Sequence, residues 1–461
     1  MNAFEAYADA LLARYAVPGA AAAASRDGEV VYARGFGAAN RERGVPAGPE
    51  TVFGVASVTK SFTGAAIMRL AGERRLAVED PVVEYLPELR LPHGDAGAIR
   101  IHHFLTHTPG FPPLPSRWFA FGASVRLDTE GAPPPVPVES RPPFATAGDL
   151  MAYLADGDWT PLGPPGAYFS YSNEGFALLG EIVARVSGRS YERYVTGEII
   201  RPLGLGRTTF GPKAAEAVAG MTTPYIAQTR GGVRQIVPAR TWWHSEVWDP
   251  AGGICSTVLD LLRYLDLYRG GHGSGHGVLS AESIAAMLRP HASTGPGQAY
   301  GYGFGIIPDY WGAALAEHGG GRRSISAHVA CVPSRGTAVA VLANLADAPV
   351  RTIAHGLLNA LEGRAPEVAA ISYPDYAAPG GRLEAYAGEY RSGEGSLVRA
   401  HAAVGRLEIE VDGDRLPARA VGPDAFVVTV RGTEQYVRFH TDGGDRAWAV
   451  AFGSRVIRRT G

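Results

Sequence analysis

The order of apolar and polar positions predicts alternating strands and helices over residues 1–363. Apolar runs at 17–25 and 29–35 flank Arg26-Asp27-Gly28, and an Asp-Gly turn of this kind is typical of a β-hairpin. Helical periodicity predicts helices over 57–73, 174–187, 256–268 and 351–361, and short apolar runs predict strands at 302–307 and within 326–345. The pattern therefore indicates one large domain that mixes helices and strands.

The pattern changes after residue 363. Residues 364–382 are rich in Pro, Ala and Gly, which predicts a linker. Leu407, Ile409 and Val411 then alternate with acidic residues up to the turn Asp412-Gly413-Asp414, and further strands are predicted at 426–430 and 436–439. We expect residues 383–461 to form a small all-β sandwich or barrel.

Two aromatic segments interrupt the regular pattern. Residues 111–144 are rich in proline, carry Trp118, Phe119 and Phe121, and show no clear element of their own. A structureless insertion of this length is typical of a lid or binding loop, although a surface insertion without a function fits equally well. Residues 242–248 carry three more tryptophans, and we expect them to form another wall of the same cleft.

Composition and charge narrow the class of partner. The chain has 461 residues, 46% hydrophobic and 19% charged, with 43 basic against 45 acidic side chains. A net charge of -2 disfavours binding to nucleic acid or to an anionic membrane, which leaves a small molecule or peptide. Cys255 and Cys331 lie far apart and are expected to be buried thiols. The first residues resemble neither a secretion signal nor a membrane span, so we expect a cytoplasmic location.

A serine and a lysine carry the first chemical signal. Only Lys60 and Lys213 among the 43 basic residues are lysines. Ser57-Val58-Thr59-Lys60 places a hydroxyl and an amine three residues apart at the start of a predicted helix, so both lie on one face. A lysine whose pKa is depressed can take the serine proton, and the helix N-terminus favours the negative charge that then develops on an attacked carbonyl.

Two further motifs follow in order along the chain. Tyr171-Ser172-Asn173 precedes the second helix, and its phenol and amide can relay a proton and bind a substrate amide; a loop tyrosine beside a helix cap is the alternative. His318-Gly319-Gly320-Gly321 allows a backbone to approach a ligand closely. An HGGG run also occurs in α/β-hydrolases, but there it precedes the nucleophile, and this chain has no G-x-S-x-G motif.

This ordered set resembles the serine β-lactamase and penicillin-binding-protein superfamily, in its branch with class C enzymes, D-aminopeptidases and family VIII esterases. The resemblance covers about residues 10–362. It implies an α+β fold, with an antiparallel sheet flanked by helices plus a helical region. The tail is similar to the lipocalin-like barrel of several members. Further blocks support it: Val17-Pro18-Gly19, Leu105-Thr106-His107-Thr108-Pro109-Gly110, Arg201-Pro202-Leu203-Gly204, Pro250-Ala251-Gly252-Gly253 and Tyr302-Gly303-Phe304-Gly305.

The resemblance also implies a role for each residue of the motifs. Ser57 corresponds to the acyl-accepting nucleophile and Lys60 to its base or the partner of the base. Tyr171 corresponds to a proton shuttle, Asn173 positions substrate and Lys60, and His318 takes the third-motif position. The remaining glycines, Gly319, Gly320 and Gly321, belong to the binding strand, where the N–H groups of Ser57 and Gly321 are expected to form an oxyanion hole. How Lys60 and Tyr171 divide the role of base stays open.

One departure from the family pattern concerns the substrate. Members that bind penicillins or D-Ala-D-Ala usually have lysine where this chain has His318, which is largely neutral near pH 7. Substrates without a free carboxylate are therefore favoured, unless Arg322 or Arg323 restores a cation. No water-activating glutamate is evident, so efficient β-lactam hydrolysis is not expected.

Metal and cofactor sites are not expected. Two groups of histidines have a spacing like that of metal ligands, one at His102, His103 and His107 and the other at His272 and His276. The first group lies in a block that is structural by resemblance, and the second has no carboxylate or cysteine beside it.

Three functions remain open at this stage. The leading hypothesis is an esterase or a D-stereospecific aminopeptidase or amidase that acts on a small ester, an amide or a D-amino-acid-containing peptide. The second is a thioesterase of the penicillin-binding-protein type that closes a peptide ring by transfer to an amine, and the third is a non-catalytic binding protein. The tail is expected to limit substrate size, and the oligomeric state is not predicted.

Overall fold

The computed structural model describes residues 1–128, 134–218, 220–271, 277–377, 380–403, 405–411, 413–430 and 433–460. For residues 230, 271, 380 and 381 only the backbone is described. His272, His276 and Asp412, which the sequence singled out, lie outside the described residues.

Thirteen α-helices occur in these ranges. They are α1 (Asn2–Arg14), α2 (Thr59–Gly72), α3 (Ile101–Leu105), α4 (Ser116–Ala120), α5 (Gly122–Leu127), α6 (Ala147–Asp156), α7 (Asn173–Ser187), α8 (Tyr191–Val195), α9 (Gly211–Ala217), α10 (Asp249–Gly252), α11 (Val258–Asp266), α12 (Ala281–Leu288) and α13 (Val350–Leu361). The predicted helices correspond to α2, α7, α11 and α13. The prediction that 111–144 is structureless was wrong, because α4 and α5 lie in it.

The described strands before residue 363 form one large sheet and two small ones. They are β1 (Gly19–Arg26), β2 (Glu29–Asn40), β3 (Val45–Pro46), β4 (Phe53–Gly54), β5 (Thr209–Phe210), β6 (Tyr225–Arg230), β7 (Val233–Pro238), β8 (Ile254–Ser256), β9 (Ala292–Gly295), β10 (Gln298–Tyr300), β11 (Gly305–Ile307), β12 (Leu315–Arg322), β13 (Ile325–Val332) and β14 (Thr337–Ala343). The large sheet has the order β3-β2-β1-β14-β13-β12-β11-β10-β9 and is antiparallel throughout. The predicted strand at 302–307 shortens to β11.

The large sheet lies between two helical layers. In the alanine-rich strand β1, Ala21 and Ala23 face the core that contains α2 and α7, while Ala20, Ala22 and Ala24 face the core of α1 and α13. Successive strand residues point to opposite faces, so a strand buried on both sides needs apolar residues at every position. The expected antiparallel sheet flanked by helices is confirmed.

The chain ends in an eight-stranded antiparallel sheet with its own apolar core. Its strands are β15 (Gly388–Arg391), β16 (Leu397–Ala403), β17 (Arg406–Val411), β18 (Asp414–Gly422), β19 (Ala425–Val430), β20 (Thr433–His440), β21 (Ala449–Phe452) and β22 (Arg455–Arg458). They pair in chain order, and a bridge between Tyr390 and Arg459 joins the first strand to the end of the last. The sheet is therefore a nearly closed barrel.

The β21–β22 hairpin of the barrel contacts the loop that leads into α7. Tyr171 donates its backbone N–H to the carbonyl of Ser454 at 2.8 Å, and Val456 donates to the Ser170 hydroxyl at 3.3 Å. The barrel also contacts the insertion, where the indole N–H of Trp118 donates to the carbonyl of Glu394 at 3.2 Å. The end of the chain is thus held beside the predicted site.

Two further sequence-based expectations concern the cysteines and membrane-spanning helices. Cys255 and Cys331 are buried and unpaired, as expected, and burial raises the pKa of each thiol to about 12. In the ranges given above, no helix combines the length and the apolar character that crossing a bilayer requires.

Candidate active site

Ser57 lies in a tight turn at the start of α2. A 3-10 turn over Ala56–Val58 leads into the helix, and Ser57 is half-buried. Ala56 has a φ of 44°, in the left-handed region that residues with a side chain rarely adopt. The turn is held from both sides, because Val55 donates to the Ile254 carbonyl at 2.9 Å and Gly252 packs against Ala56. Backbone strain fixed by its surroundings is common at functional sites.

Lys60 is fully buried one helical turn after Ser57. Its Nζ lies 3.2 Å from Ser57 Oγ, 2.8 Å from Asn173 Oδ1 and 2.7 Å from the Ala251 carbonyl. Amide and backbone oxygens only accept hydrogen bonds, so the two N–H donors of a neutral amine go to Asn173 and Ala251. The lone pair then points at the Ser57 hydroxyl. This is the arrangement of a general base.

The electrostatics of Lys60 agree with a neutral amine. Among the described residues no carboxylate forms an ion pair with it. Burial lowers the pKa of Lys60 well below its usual value, and the Arg455 guanidinium lowers it further, while Glu174 and Glu394 oppose the change. A buried ammonium without a counter-ion is costly, and this cost favours the neutral amine.

Tyr171 lies close to both the Lys60 amine and the Arg455 guanidinium. Its ring centre lies 4.8 Å from Lys60 Nζ and 4.7 Å from the Arg455 guanidinium carbon. Burial raises the pKa of the phenol, whereas a hydrogen bond with Ser57 and the charge of Arg455 lower it. Because the rise dominates, the phenol is protonated while the Lys60 amine is neutral. That pattern favours Lys60 as the base and leaves the Tyr171 proton available for donation.

The start of α7 fixes Asn173 and adds a residue that the sequence analysis missed. The Ser172 hydroxyl caps the helix by accepting from the Gly175 N–H at 3.2 Å. Glu174 is buried next to Asn173 and accepts from the hydroxyls of Ser172 and Ser116. Burial raises the pKa of Glu174, and the two serine hydrogen bonds lower it. Both of its oxygens are engaged, so it holds α4 against α7.

His318 is held by protein partners on strand β12. Its Nε2 lies 2.8 Å from the Tyr300 hydroxyl and its Nδ1 lies 2.6 Å from the Gly319 carbonyl. Because a carbonyl only accepts, Nδ1 carries the proton and Nε2 accepts from Tyr300. Burial lowers the pKa of His318 to about 3, with a further contribution from Lys60. The imidazole is therefore neutral, as the sequence analysis expected.

The triple glycine of β12 packs directly against the turn that carries Ser57. A Cβ on Gly320 would lie 2.0 Å from the Val55 carbonyl oxygen, so only glycine permits this approach. Gly319 and Gly321 point to the other face of the strand and are exposed. The backbone of β12 therefore lies directly against the residue that precedes the Ala56–Val58 turn.

The two aromatic segments pack against each other. Trp118 and Phe121 of the insertion pack against Trp243 with ring centres 5.8 and 6.0 Å apart, and Phe121 also packs against Trp248. Arg323 forms an ion pair with Asp128 at 2.6 Å, so its charge is compensated. Arg322 has no such pair among the described residues, and its guanidinium reaches only the Gly252 carbonyl, at 3.4 Å.

The barrel contributes a charged pair that the sequence analysis missed. Arg455 binds the Glu394 carboxylate at 2.7 and 3.1 Å, and both side chains are largely buried beside Tyr171. Burial lowers the pKa of Arg455, but the charge and hydrogen bonds of Glu394, together with smaller contributions from Tyr171 and Glu174, leave it raised. Next to the pair, a cleft of about 570 Å³ opens between the barrel and the loop that carries Tyr171. The sequence around Arg455 and Glu394 does not indicate a role at the site, because Tyr171 and Trp118, which they contact there, lie more than 270 positions away in the chain.

The described histidines with a ligand-like spacing contact protein groups. His102 contacts the Tyr302 hydroxyl at 2.8 Å, while His107 accepts from the Ser172 N–H at 3.1 Å and packs against the Tyr171 ring. A different group brings potential ligands together behind β12. There Glu317 binds His328, His355 and Arg351 at 2.6–3.0 Å. With both oxygens of Glu317 engaged, including by an arginine, this group is a complete ion-pair network.

Comparison with known proteins places these features in context. A family model described as Beta-lactamase matches residues 4–362. Esterase EstB of Burkholderia gladioli is 28% identical over 335 residues, which are 68% of this chain and 82% of that protein. D-aminopeptidase of Gluconobacter oxydans is 27% identical over 74% of this chain, but the match spans only 58% of that relative. The octameric penicillin-binding protein homologue from Pyrococcus abyssi has a TM-score of 0.70, with 28% identity over 99% of both chains.

Proposed function

The chain belongs to the beta-lactamase family, and we propose that it is a serine hydrolase that cleaves esters or amides through an acyl-enzyme on Ser57. The observation that carries the proposal is the buried Lys60 amine, whose donors are used by Asn173 and Ala251 and whose lone pair faces Ser57 Oγ at 3.2 Å. The names of the relatives, an esterase and a D-aminopeptidase, support these two substrate classes.

The first half of the reaction forms the acyl-enzyme. Lys60 takes the hydroxyl proton as Ser57 Oγ attacks the carbonyl carbon, and the carbonyl oxygen gains negative charge. The N–H groups of Ser57 and Gly321 stabilise that oxygen. Tyr171 then donates its proton to the departing alcohol or amine and is reprotonated by Lys60. The carbon–leaving-group bond breaks, and the acyl group stays on Ser57.

The second half returns the enzyme to its starting state. Water attacks the acyl carbon and loses its proton to the neutral Lys60–Tyr171 pair, and Ser57 leaves as a hydroxyl. Asn173 keeps Lys60 oriented through its amide oxygen at 2.8 Å. Glu174 is engaged by two serines, which supports the expectation of poor β-lactam hydrolysis, since it is not free to activate water.

A fluorophosphonate probe tests the proposal directly. We expect the wild-type protein to gain one covalent adduct, which peptide mass spectrometry assigns to Ser57, and to hydrolyse p-nitrophenyl esters. Ser57→Ala should lose both the adduct and the turnover. Ser61→Ala is the matched control, because it removes a hydroxyl from the same helix that is bonded to the Val58 carbonyl. Turnover that survives in Ser57→Ala would exclude the mechanism, and absence of labelling in wild type would favour a non-catalytic binding protein.

The substrate class is then resolved by a panel of simple esters and of D- and L-aminoacyl amides. An esterase hydrolyses the esters and leaves the amides, whereas a D-aminopeptidase or amidase cleaves the D-aminoacyl amides in preference to the L forms. Adding an external amine to the same reactions reports transfer to an amine, the chemistry of a peptide cyclase.

We further propose that residues 1–363 form the hydrolase domain, 364–382 a linker, and 383–461 a lipocalin-like module that limits the size of the leaving group. The contact of Ser454 with Tyr171 and the cleft of about 570 Å³ support this. Ser454→Trp should narrow the cleft and lower kcat/KM for bulky leaving groups more than for methanol. Asp445→Trp, on another exposed turn of the barrel, is the control. An unchanged size preference in Ser454→Trp would contradict the role.

A further inference from the structure

Three arginines from distant parts of the chain approach the candidate site. Arg117 comes from α4, Arg322 from the end of β12 and Arg455 from the barrel. Arg117 lies within electrostatic range of each of the other two. Across the described ranges, only Arg455 of the three has a carboxylate at ion-pair distance. The site therefore carries two positive charges without counter-ions.

Arg322 is half-buried at the end of β12. It lies on the same face of β12 as His318 and Gly320, because alternate residues of a strand point to one side. Its guanidinium reaches the Gly252 carbonyl at 3.4 Å and stands 5.5 Å from the Phe121 ring, and its buried Nε has no hydrogen-bond partner in the described structure. The nearby carboxylate of Asp249 is paired with His244 at 3.0 Å.

Arg117 is the second cation without a counter-ion. Its guanidinium lies 4.9 Å from the Trp118 ring, and no ion pair involves it among the described side chains. The carboxylates in its surroundings are engaged elsewhere, since Glu394 binds Arg455 and Glu174 accepts from two serines. A desolvated guanidinium without a counter-ion is unfavourable, and a bidentate carboxylate would offset that cost.

The positions of these arginines indicate which part of a substrate they meet. Tyr171 protonates the leaving group in the proposed reaction, and its ring lies 6.3 Å from the His318 ring, so the leaving group occupies that end of β12. Arg322 is four residues farther along the strand, about 13 Å away. The acyl part of the substrate, which extends away from the leaving group, therefore runs toward Arg322.

We propose that Arg322, assisted by Arg117, binds a carboxylate on the acyl part of the substrate, so that the enzyme prefers acidic acyl groups. This inference rests on the proposed acyl transfer to Ser57. It revises the expectation, drawn from His318, that carboxylates are disfavoured. The carboxylate would bind near Arg322, four residues along β12 from His318. Arg323 does not bind the carboxylate in this proposal, because Asp128 already neutralises its charge.

A matched pair of fluorogenic substrates tests the inference. The 4-methylumbelliferyl esters of glutaric acid and of its monoamide differ in charge but hardly in shape, and Ser57→Ala gives the background rate for each. We expect the ratio of kcat/KM, acid over amide, to exceed one in the wild-type enzyme. The ratio should fall about tenfold in Arg322→Gln, the effect of losing one charge-assisted hydrogen bond, and by less in Arg322→Lys.

Two controls keep the outcomes separate. Arg117→Gln should lower the ratio in the same direction, whereas Arg201→Gln removes an exposed cation from the same chain and should leave it unchanged. A wild-type ratio of one or less, or a ratio that is unchanged in Arg322→Gln, overturns the inference. If neither ester is turned over and the fluorophosphonate probe leaves Ser57 unlabelled, the proposed function itself fails.

Discussion

Replacing Arg455 with glutamine should make Lys60 harder to deprotonate. The distances of 4.8 and 4.7 Å to the Tyr171 ring mean that Lys60 Nζ and the Arg455 guanidinium carbon are at most about 9.5 Å apart. With an effective dielectric constant of about 20, two unit charges at that separation or closer repel by at least about 1.7 kcal/mol. This is slightly more than one pKa unit.

The direction of the change follows from the role of Lys60. The base works in its neutral form, and Arg455 lowers the pKa of Lys60. Without Arg455 the pKa of Lys60 rises, so a larger fraction is protonated at a given pH. The acidic limb of the kcat/KM profile should therefore move up by about one pH unit, and activity below the limb should fall about tenfold.

The pH profile of ester hydrolysis measures this shift. Arg455→Lys keeps the charge and should leave the limb within about 0.3 units of wild type. Glu394→Gln removes the negative charge that favours the ammonium, so its limb should move in the opposite direction. A folded Arg455→Gln enzyme whose acidic limb coincides with that of wild type would refute the electrostatic reasoning.

Two further predictions concern stability. Lys60→Met should abolish ester hydrolysis yet raise the free energy of unfolding at pH 7 by about 1–3 kcal/mol, because keeping a buried lysine neutral below its unfolded pKa costs free energy. Lys213→Met, at an exposed position, is the control for thermal melting, and a lower Tm for Lys60→Met would contradict the prediction. Gly320→Ala should lower the free energy of unfolding by about 2–4 kcal/mol, and with it the melting temperature, because the new Cβ would lie 2.0 Å from the Val55 oxygen. Gly321→Ala is the control, because its Cβ would have no atom within 4 Å, and it should melt like wild type. Equal destabilisation of both variants would contradict this account.

The sequence predicted those parts of the molecule that depend on local spacing. Ser57 and Lys60 lie together because one helical turn separates them, and Gly188, with its left-handed φ of 71°, ends α7 where predicted. Tyr171 and Asn173 could be grouped with them because the order of the motifs resembles a known family. The extent of α2 was also predicted closely, apart from the 3-10 turn at its start.

Features set by distant contacts could not be predicted in this way. Arg455 and Glu394 reach the site only because the barrel packs against the loop before α7, and nothing near them in the chain signals that contact. The two short helices in 111–144 could not be predicted, because the prolines of this segment obscure its helical pattern. Packing of Phe119 and Phe121 stabilises these helices in the folded protein. The unpaired state of Arg322 likewise depends on its three-dimensional neighbours.

The hydrogen bond from Tyr171 to the Ser454 carbonyl links catalysis to the attachment of the barrel. Heating that breaks this contact would move the Tyr171 phenol and the Arg455 guanidinium away from the site at the same time, while the large sheet stays folded between its two helical layers. Thermal inactivation would then precede global unfolding, and the contact between the barrel and the loop before α7 would set the highest temperature at which the enzyme works.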